Sequence, residues 1–131
     1  MSNFRKVRAW QAAHQLAIDT FKVCDRLRGT RRPRLIDQLT GAALSISGNI
    51  AEGRGHTSTR EFIRFLGYSL TSTDELESHT QLAVDVGAMS EQDFKLIVTQ
   101  LIEVRKMLHG LVRSLEEQRF ENRDSPENPR N

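Results

Sequence analysis

The chain has 131 residues, of which 37% are hydrophobic and 6% aromatic, and its formal net charge at pH 7 is +2. This length fits one domain with its own core. The single cysteine, Cys24, excludes an internal disulfide, and no apolar run approaches the roughly 20 residues of a membrane-crossing helix. Without a signal-peptide pattern, we expect a soluble cytoplasmic protein that needs no cofactor.

Helical spacing of apolar residues begins close to the N-terminus. A first helix is predicted over residues 4–28, and Gly29 and Pro33 end it. A second helix is predicted over residues 34–53. Its apolar side consists of Ile36, Leu39, Ala43, Ile46 and Ile50. The helix also contains the small residues Gly41, Ala42, Ala43, Ser47 and Gly48, so we expect another helix to approach it closely.

Two further helices follow. Ser58 and Glu61 form the pattern of a capping box, which predicts a third helix over residues 58–86. The fourth is predicted over residues 90–118, and the charged residues 120–131 should be disordered. The apolar or small side of the third helix consists of Leu66, Ser69, Thr73, Leu76, Thr80 and Ala83. That of the fourth consists of Phe94, Ile97, Leu101, Val104, Leu108, Leu111 and Leu115.

Four helices joined by short turns predict an all-α fold, an antiparallel up-down-up-down bundle that occupies residues 1–119. The first and fourth helices each carry more apolar surface than one neighbour covers. The chain is therefore expected to form a homo-oligomer.

Asn49 and Glu52 place polar groups on the second helix, next to its apolar side. They could line a ligand pocket, or they could bond to Ser69, Ser72 or Thr73 of the third helix or to amides of the following loop. Buried polar groups are normally satisfied in the second way, so we favour a structural network. It would hold the junction formed by Asn49, Glu52, Gly53, Ser58, Glu61 and Phe62.

An acidic group on the third helix includes Asp74, Glu75 and Glu77, with His79 one turn later. Carboxylate-bridged metal sites in bundles need a Glu-x-x-His motif on each of two helices, and the chain has no such pair. We expect no metal, and we interpret Glu75 and Glu77 as structural, as a solvated face or as partners for arginines of a neighbouring subunit. No catalytic constellation is recognisable, so we expect a protein that is not an enzyme.

Basic residues are concentrated in the first half, where residues 1–64 hold 12 Lys/Arg against 5 Asp/Glu, while residues 65–131 hold 7 against 12. One cluster surrounds the predicted turn between the first two helices and consists of Arg26, Arg28, Arg31, Arg32 and Arg34. Such clusters attract phosphates, although the two halves could also neutralise each other. Tyr68 and Trp10 look isolated, so stacking on single strands is not expected and binding should be mainly electrostatic. The candidate phosphate contacts are Arg28, Arg31, Arg32, Arg34, Arg54, Arg60 and Arg64.

Several motifs occur together over residues 4–116. They are Asn49-Ile50-Ala51-Glu52-Gly53, Ser58-x-x-Glu61-Phe62-x-x-Phe65-Leu66, Ser72-x-x-Glu75-Leu76-Glu77 and Arg105-Lys106-Met107-Leu108. In these motifs the chain resembles the four-helix-bundle proteins encoded in intervening sequences of bacterial 23S ribosomal RNA genes. It departs from them at Ser69 and Thr71, where Ala and Gly are typical, and at Arg31-Arg32-Pro33, where the family has an aromatic-proline turn.

This resemblance implies a cytoplasmic homopentamer associated with RNA. It also implies a fold similar to that of the accessory variability protein of diversity-generating retroelements, which is a basic pentamer that binds nucleic acid and the reverse transcriptase. Two functional hypotheses follow from it. The first is binding of structured RNA through basic patches, and the alternative is a scaffold or accessory subunit of a nucleoprotein complex such as a reverse transcriptase.

Overall fold

The computed structural model describes residues 3–27, 29, 31–56 and 58–124. Within these ranges all regular structure is helical, which confirms the all-α prediction. The elements are a short 3-10 helix (Phe4–Lys6), α1 (Arg8–Leu27), α2 (Pro33–Arg54), α3 (Thr59–Asp85) and α4 (Glu91–Asp124). None of these helices combines the length and the apolar character that crossing a membrane requires.

Local chemistry explains where α2 and α3 begin. Pro33 occupies the first turn of α2, where its missing N–H costs no helical hydrogen bond. Ser58 caps α3, because its Oγ accepts a hydrogen bond from the backbone N–H of Glu61 at 3.0 Å. Gly87 follows the end of α3 with φ at +79°, a conformation that glycine adopts without steric cost.

The first helix begins later than the sequence predicted. Val7 has an extended backbone with φ at −76° and ψ at 117°, which separates the 3-10 helix from α1. The carbonyl of Val7 then accepts the hydrogen bond of Gln11 at 3.1 Å and so opens α1. Residues 4–7 are therefore an entry turn and not part of a continuous helix.

The fourth helix ends later than the sequence predicted. It continues to Asp124, so residues 120–124, which we expected in a disordered tail, are helical. The polar residues before this end, such as Glu116 and Glu121, have good helix propensity. The first helix-breaking residue is Pro126. Residues 125–131 lie outside the described part of the chain.

The predicted apolar sides of the helices form the core. All five residues of the α2 set and all six of the α3 set are buried. In α4 the residues Ile97, Leu101, Val104 and Leu108 are buried, while Phe94, Leu111 and Leu115 pack at its edge. Spacing alone thus identified the core-facing side of these three helices.

The four helices form a ring of neighbours around this core. Helix α2 packs against α1 and α3, and α4 packs against α3 and α1. Asp19 of α1 accepts a hydrogen bond from Nε2 of Gln100 at 2.7 Å, and Arg26, near the end of α1, contacts Asp93 at the start of α4. The structure is therefore a four-helix bundle.

Buried hydroxyl groups are satisfied within the bundle. Ser69 donates to the backbone carbonyl of Ile46 at 2.8 Å and so links α3 to α2. Thr80 donates to the carbonyl of Leu76 in its own helix at 2.6 Å. These bonds explain how serine is accommodated at position 69, where the resemblance predicts a smaller apolar residue, because the hydrogen bond offsets the cost of removing the hydroxyl from water.

Close approach of two helices depends on Gly53. A Cβ atom at this position would lie 2.7 Å from the Cβ of Phe65 and 3.0 Å from a ring carbon of Phe62. By contrast, Gly41 and Gly48 are exposed, and a Cβ atom added at either would meet no atom of another described helix within 4 Å. The other small residues of α2, Ala42, Ala43 and Ser47, are buried, and α2 packs against α1 and α3. The expected close approach of another helix is therefore on this side of α2 and not at Gly41 or Gly48.

Candidate nucleic-acid interface

The turn between α1 and α2 presents three exposed arginines, Arg31, Arg32 and Arg34. Arg31 has a left-handed backbone with φ at 57°, which turns the chain just before Pro33. No described residue forms an ion pair or a side-chain hydrogen bond with any of the three. We call these three residues the arginine turn. Arg28, also a candidate, lies outside the described residues.

Apolar side chains from the end of α3 adjoin the arginine turn. Leu82 and Val86 are 52% and 42% exposed, and together with the three arginines they line an open cavity of about 370 Å³. A second open cavity on this turn is lined by Arg31 and Arg32 together with Asp37 and apolar residues. The surface is thus predominantly cationic with an apolar border.

Arg26, which the sequence grouped with these arginines, has a different role. Its Nη2 and Nε donate to the two carboxylate oxygens of Asp93 at 2.6 and 2.9 Å. These hydrogen bonds hold the pKa of Asp93 below its ordinary value, against the opposing effect of burial. They raise the pKa of Arg26 in turn. Arg26 therefore joins α1 to α4 and is not free for phosphate.

The polar side of α2 forms part of the predicted network. Nδ2 of Asn49 donates to the backbone carbonyl of Ser45 at 2.8 Å and to its Oγ at 3.0 Å. The hydroxyl of Ser72 on α3 donates to the same Oγ at 2.8 Å. Asn49 thus reaches α3 through Ser45, an intermediate that the sequence analysis did not identify. Glu52 is exposed, and no described residue bonds to its carboxylate.

The second group of predicted arginines, Arg54, Arg60 and Arg64, has three different environments. Arg54 lines an open cavity of about 470 Å³ with Arg8 and with apolar residues of α1, α3 and α4. Arg60 is exposed and unpaired among the described residues. Nε of Arg64 donates to Glu61 at 2.8 Å, and its Nη1 donates to the hydroxyl of Tyr68 at 2.9 Å. The bond to Glu61 is the main cause of a raised pKa of Arg64.

Tyr68 is not isolated, contrary to the prediction from sequence. The rings of His56 and Phe65 stack with centroids 5.0 Å apart and planes at 19°. The ring of Tyr68 meets Phe65 edge to face at 5.5 Å, and the guanidinium of Arg64 lies 5.4 Å from the Phe65 centroid and 5.6 Å from that of Tyr68. We call His56, Phe65 and Tyr68 the aromatic cluster.

Part of this cluster was visible in the sequence. Arg64 and Tyr68 are four positions apart on one helix, and such pairs are neighbours on the helix surface. The contribution of His56 depends on the path of the loop after α2, which spacing does not reveal. Trp10 is not isolated either, since it stacks on His14 at 4.6 Å and meets Phe4 at 4.9 Å.

The acidic group of α3 meets an arginine of the same chain. Nη2 of Arg105 on α4 donates to Glu77 at 2.7 Å and to Asp74 at 3.3 Å. Glu75 is exposed. Within the described ranges, no group of three or more His, Cys, Asp or Glu residues could hold a metal ion. The contacts of Asp74 and Glu77 support a structural interpretation of this group.

The comparison with protein families agrees with the sequence motifs. A family model described as "23S rRNA-intervening sequence protein" matches residues 5–110. The chain belongs to this family. A search of the curated proteins finds no match.

A solved structure has the same fold as this 23S rRNA-intervening sequence protein family member. It is the crystal structure of a protein with unknown function from the S23 ribosomal protein family of Bacteroides thetaiotaomicron VPI-5482. The two chains are 19% identical, with a TM-score of 0.72, and the match covers 79% of this chain and 97% of the other. At this identity the likeness concerns the fold alone.

Proposed function

We propose that this family member is a non-enzymatic protein that binds structured RNA through the arginine turn. The observation that carries the proposal is the exposure of Arg31, Arg32 and Arg34 without a carboxylate partner among the described residues. Arginine that is free of intramolecular ion pairs can bind phosphate oxygens in a bidentate manner. The family description, which refers to 23S rRNA intervening sequences, supports the same class of ligand.

A structural role for the junction between α2 and α3 is part of this proposal. The amide of Asn49 is engaged by Ser45, and Gly53 accommodates Phe62 and Phe65. Ser58 caps α3 by accepting a hydrogen bond from the backbone N–H of Glu61. These contacts support a role for the motif residues in holding the fold and not in a reaction.

We further propose that the helices run in antiparallel order and that the bundle assembles as a homopentamer. The contacts of Arg26 with Asp93 and of Asp19 with Gln100 support the antiparallel order of α1 and α4. Assembly is supported by large apolar side chains that the single chain leaves exposed. They include Ile18, Phe21, Leu44, Leu82, Val86, Leu96, Ile102 and Phe120.

A second candidate function is that of a scaffold or accessory subunit in a nucleoprotein complex, with a reverse transcriptase as one partner. The exposed Leu82 and Val86 favour it, because they place apolar surface directly beside the arginine turn. Affinity purification tests this function. Stoichiometric recovery of a polymerase, retained after nuclease treatment, would favour a protein partner over RNA.

The arginine turn is tested by charge removal. Replacing Arg31, Arg32 and Arg34 by serine should reduce the magnitude of the slope of log affinity against log salt by about two to three, because each neutralised phosphate contributes a little under one. The measurement is fluorescence anisotropy with a folded RNA hairpin over a salt series.

A matched control removes the same charge elsewhere. Lys6, Arg113 and Arg119 are exposed. Lys6 precedes α1 and the two arginines lie in the second half of α4, away from the end of α1 where the arginine turn begins. Replacement of all three by serine should leave the slope nearly unchanged. Equal effects of the two triple variants would mean that only net charge matters, and the proposal for the arginine turn would then be wrong.

A further inference from the structure

The aromatic cluster is a surface feature that the arginine turn does not explain. Tyr68 is 43% exposed, and His56 is exposed in the loop that precedes α3. Both rings contact Phe65, which is half-buried. The cluster thus offers aromatic surface to solvent from a fixed position on the bundle.

The orientation of the cluster is held by bonds on either side of it. Tyr68 accepts a hydrogen bond from Arg64, and Arg64 is in turn bound by Glu61. Glu61 belongs to the first turn of α3, which Ser58 caps. A ring that is already oriented loses little conformational freedom when a ligand stacks on it, which favours binding.

The charge of the cluster differs from that of the arginine turn. The carboxylate of Glu61 neutralises Arg64, so Arg64 is a weak phosphate ligand. Arg60 lies one helical turn earlier on α3 and is exposed and unpaired among the described residues. The surface therefore combines aromatic rings with the guanidinium of Arg60, a combination suited to stacking more than to electrostatic attraction.

We propose that the aromatic cluster binds an unpaired nucleobase of the RNA, with Arg60 contacting an adjacent phosphate. This inference rests on the proposed function, since it assigns a second contact on the same RNA. Bases in a duplex stack on one another, whereas bases in loops and single strands present their faces to aromatic side chains. Stacking of this kind tolerates different bases, because every base has a π-face.

The inference predicts a contribution to affinity that depends little on salt. Replacing Tyr68 by leucine should weaken binding of a uridine oligonucleotide of about 12 residues by about 10-fold, because loss of one aromatic stacking partner of a base typically weakens binding by about this factor. The salt dependence should remain that of the wild type. Binding of a blunt RNA duplex with the same number of phosphates should change less than about 2-fold, since its bases are not available for stacking.

Tyr68→Phe is the matched control, since it keeps the ring and removes only the hydroxyl that Arg64 contacts. It should weaken binding of the oligonucleotide less than Tyr68→Leu does, because the stacking surface remains and only the hydrogen bond that orients the ring is lost. His56→Ala is a second variant in an exposed loop position, and it should also weaken binding of the oligonucleotide selectively. Circular dichroism establishes that each variant is folded.

The outcomes separate this inference from the proposed function. If the wild type binds both RNAs and the Tyr68→Leu and His56→Ala variants lose no affinity, or lose it equally for both RNAs, the cluster does not bind bases and the arginine turn still stands. If the wild type binds neither RNA, both proposals are overturned.

Discussion

At the scale of single residues, the partner of each arginine decides what it can do. Arg26 and Arg105 make ion pairs that join helices. Arg64 is held by Glu61 within α3, whereas the three arginines of the arginine turn have no such partner among the described residues. Sequence clustering placed Arg26 with the turn, but its carboxylate partner is 67 positions away. Only the fold brings the two together.

The ion pair of Arg26 with Asp93 predicts a dependence of stability on pH. The folded state lowers the pKa of Asp93, so the unfolded state takes up a proton first as the pH falls. The stabilisation is fully present above the ordinary carboxyl pKa of about 3.9 and is lost as the pH falls through the lower pKa of the folded state.

Asp93→Asn should therefore unfold at a lower urea concentration than the wild type at neutral pH, and the difference should shrink below about pH 4. Urea titrations of both proteins at several pH values measure this. A difference that stays constant down to about pH 2 would show that the charge of Asp93 is not what stabilises the fold.

At the scale of helices, the elements that sequence predicted well are those with local start and stop signals. These signals, which are Pro33, the cap at Ser58 and Gly87, each act on the backbone within one helical turn. The observed bounds of α2 and α3 accordingly lie within one residue of the predicted bounds. The ends of the chain lack such signals. Val7 interrupts the first helix through its backbone conformation, and α4 continues through polar residues that no core contact requires.

The packing of α2 on α3 predicts opposite effects for two glycines. Gly53→Ala places a Cβ atom 2.7 Å from the Cβ of Phe65, so the helices must separate. Overpacking of this kind costs about 1–3 kcal/mol, which exceeds the gain of up to about 1 kcal/mol from the better helix propensity of alanine. We expect a net loss of about 1 kcal/mol in the free energy of unfolding.

Gly41→Ala is the matched control, because it lies in the same helix and its added carbon meets no atom of another described helix within 4 Å. It should raise the free energy of unfolding by up to about 1 kcal/mol. Urea unfolding of the two variants measures both effects. Stabilisation by Gly53→Ala would contradict the close approach of α2 to Phe62 and Phe65.

At the scale of the whole molecule, the core was predictable and the candidate interface was predictable only in part. Repeating apolar positions determine which side of α2, α3 and α4 is buried, because that information lies within each helix. The aromatic cluster combines a loop residue, His56, with Phe65 and Tyr68 of the next helix. Such a combination depends on the geometry of the turn, which a one-dimensional pattern does not contain.

The ion pairs of the fold explain part of the difference in charge between residues 1–64 and residues 65–131. Acidic residues of the second half are used partly inside the bundle, where Asp93 binds Arg26 and where Asp74 and Glu77 bind Arg105. The arginine turn is left without such neutralisation among the described residues. A surface of this kind should concentrate phosphate-bearing ligands at one end of the bundle.

The most direct test of the proposed function is the affinity of the purified protein for a folded RNA over a salt series, with particle mass measured by light scattering in the same samples. We predict a particle of about five subunits whose log affinity falls with log salt with a slope of magnitude about two to three or more, a little under one unit per arginine of the turn. Affinity weaker than about 100 μM at low salt, which is no better than ordinary non-specific binding, would contradict RNA binding through the arginine turn.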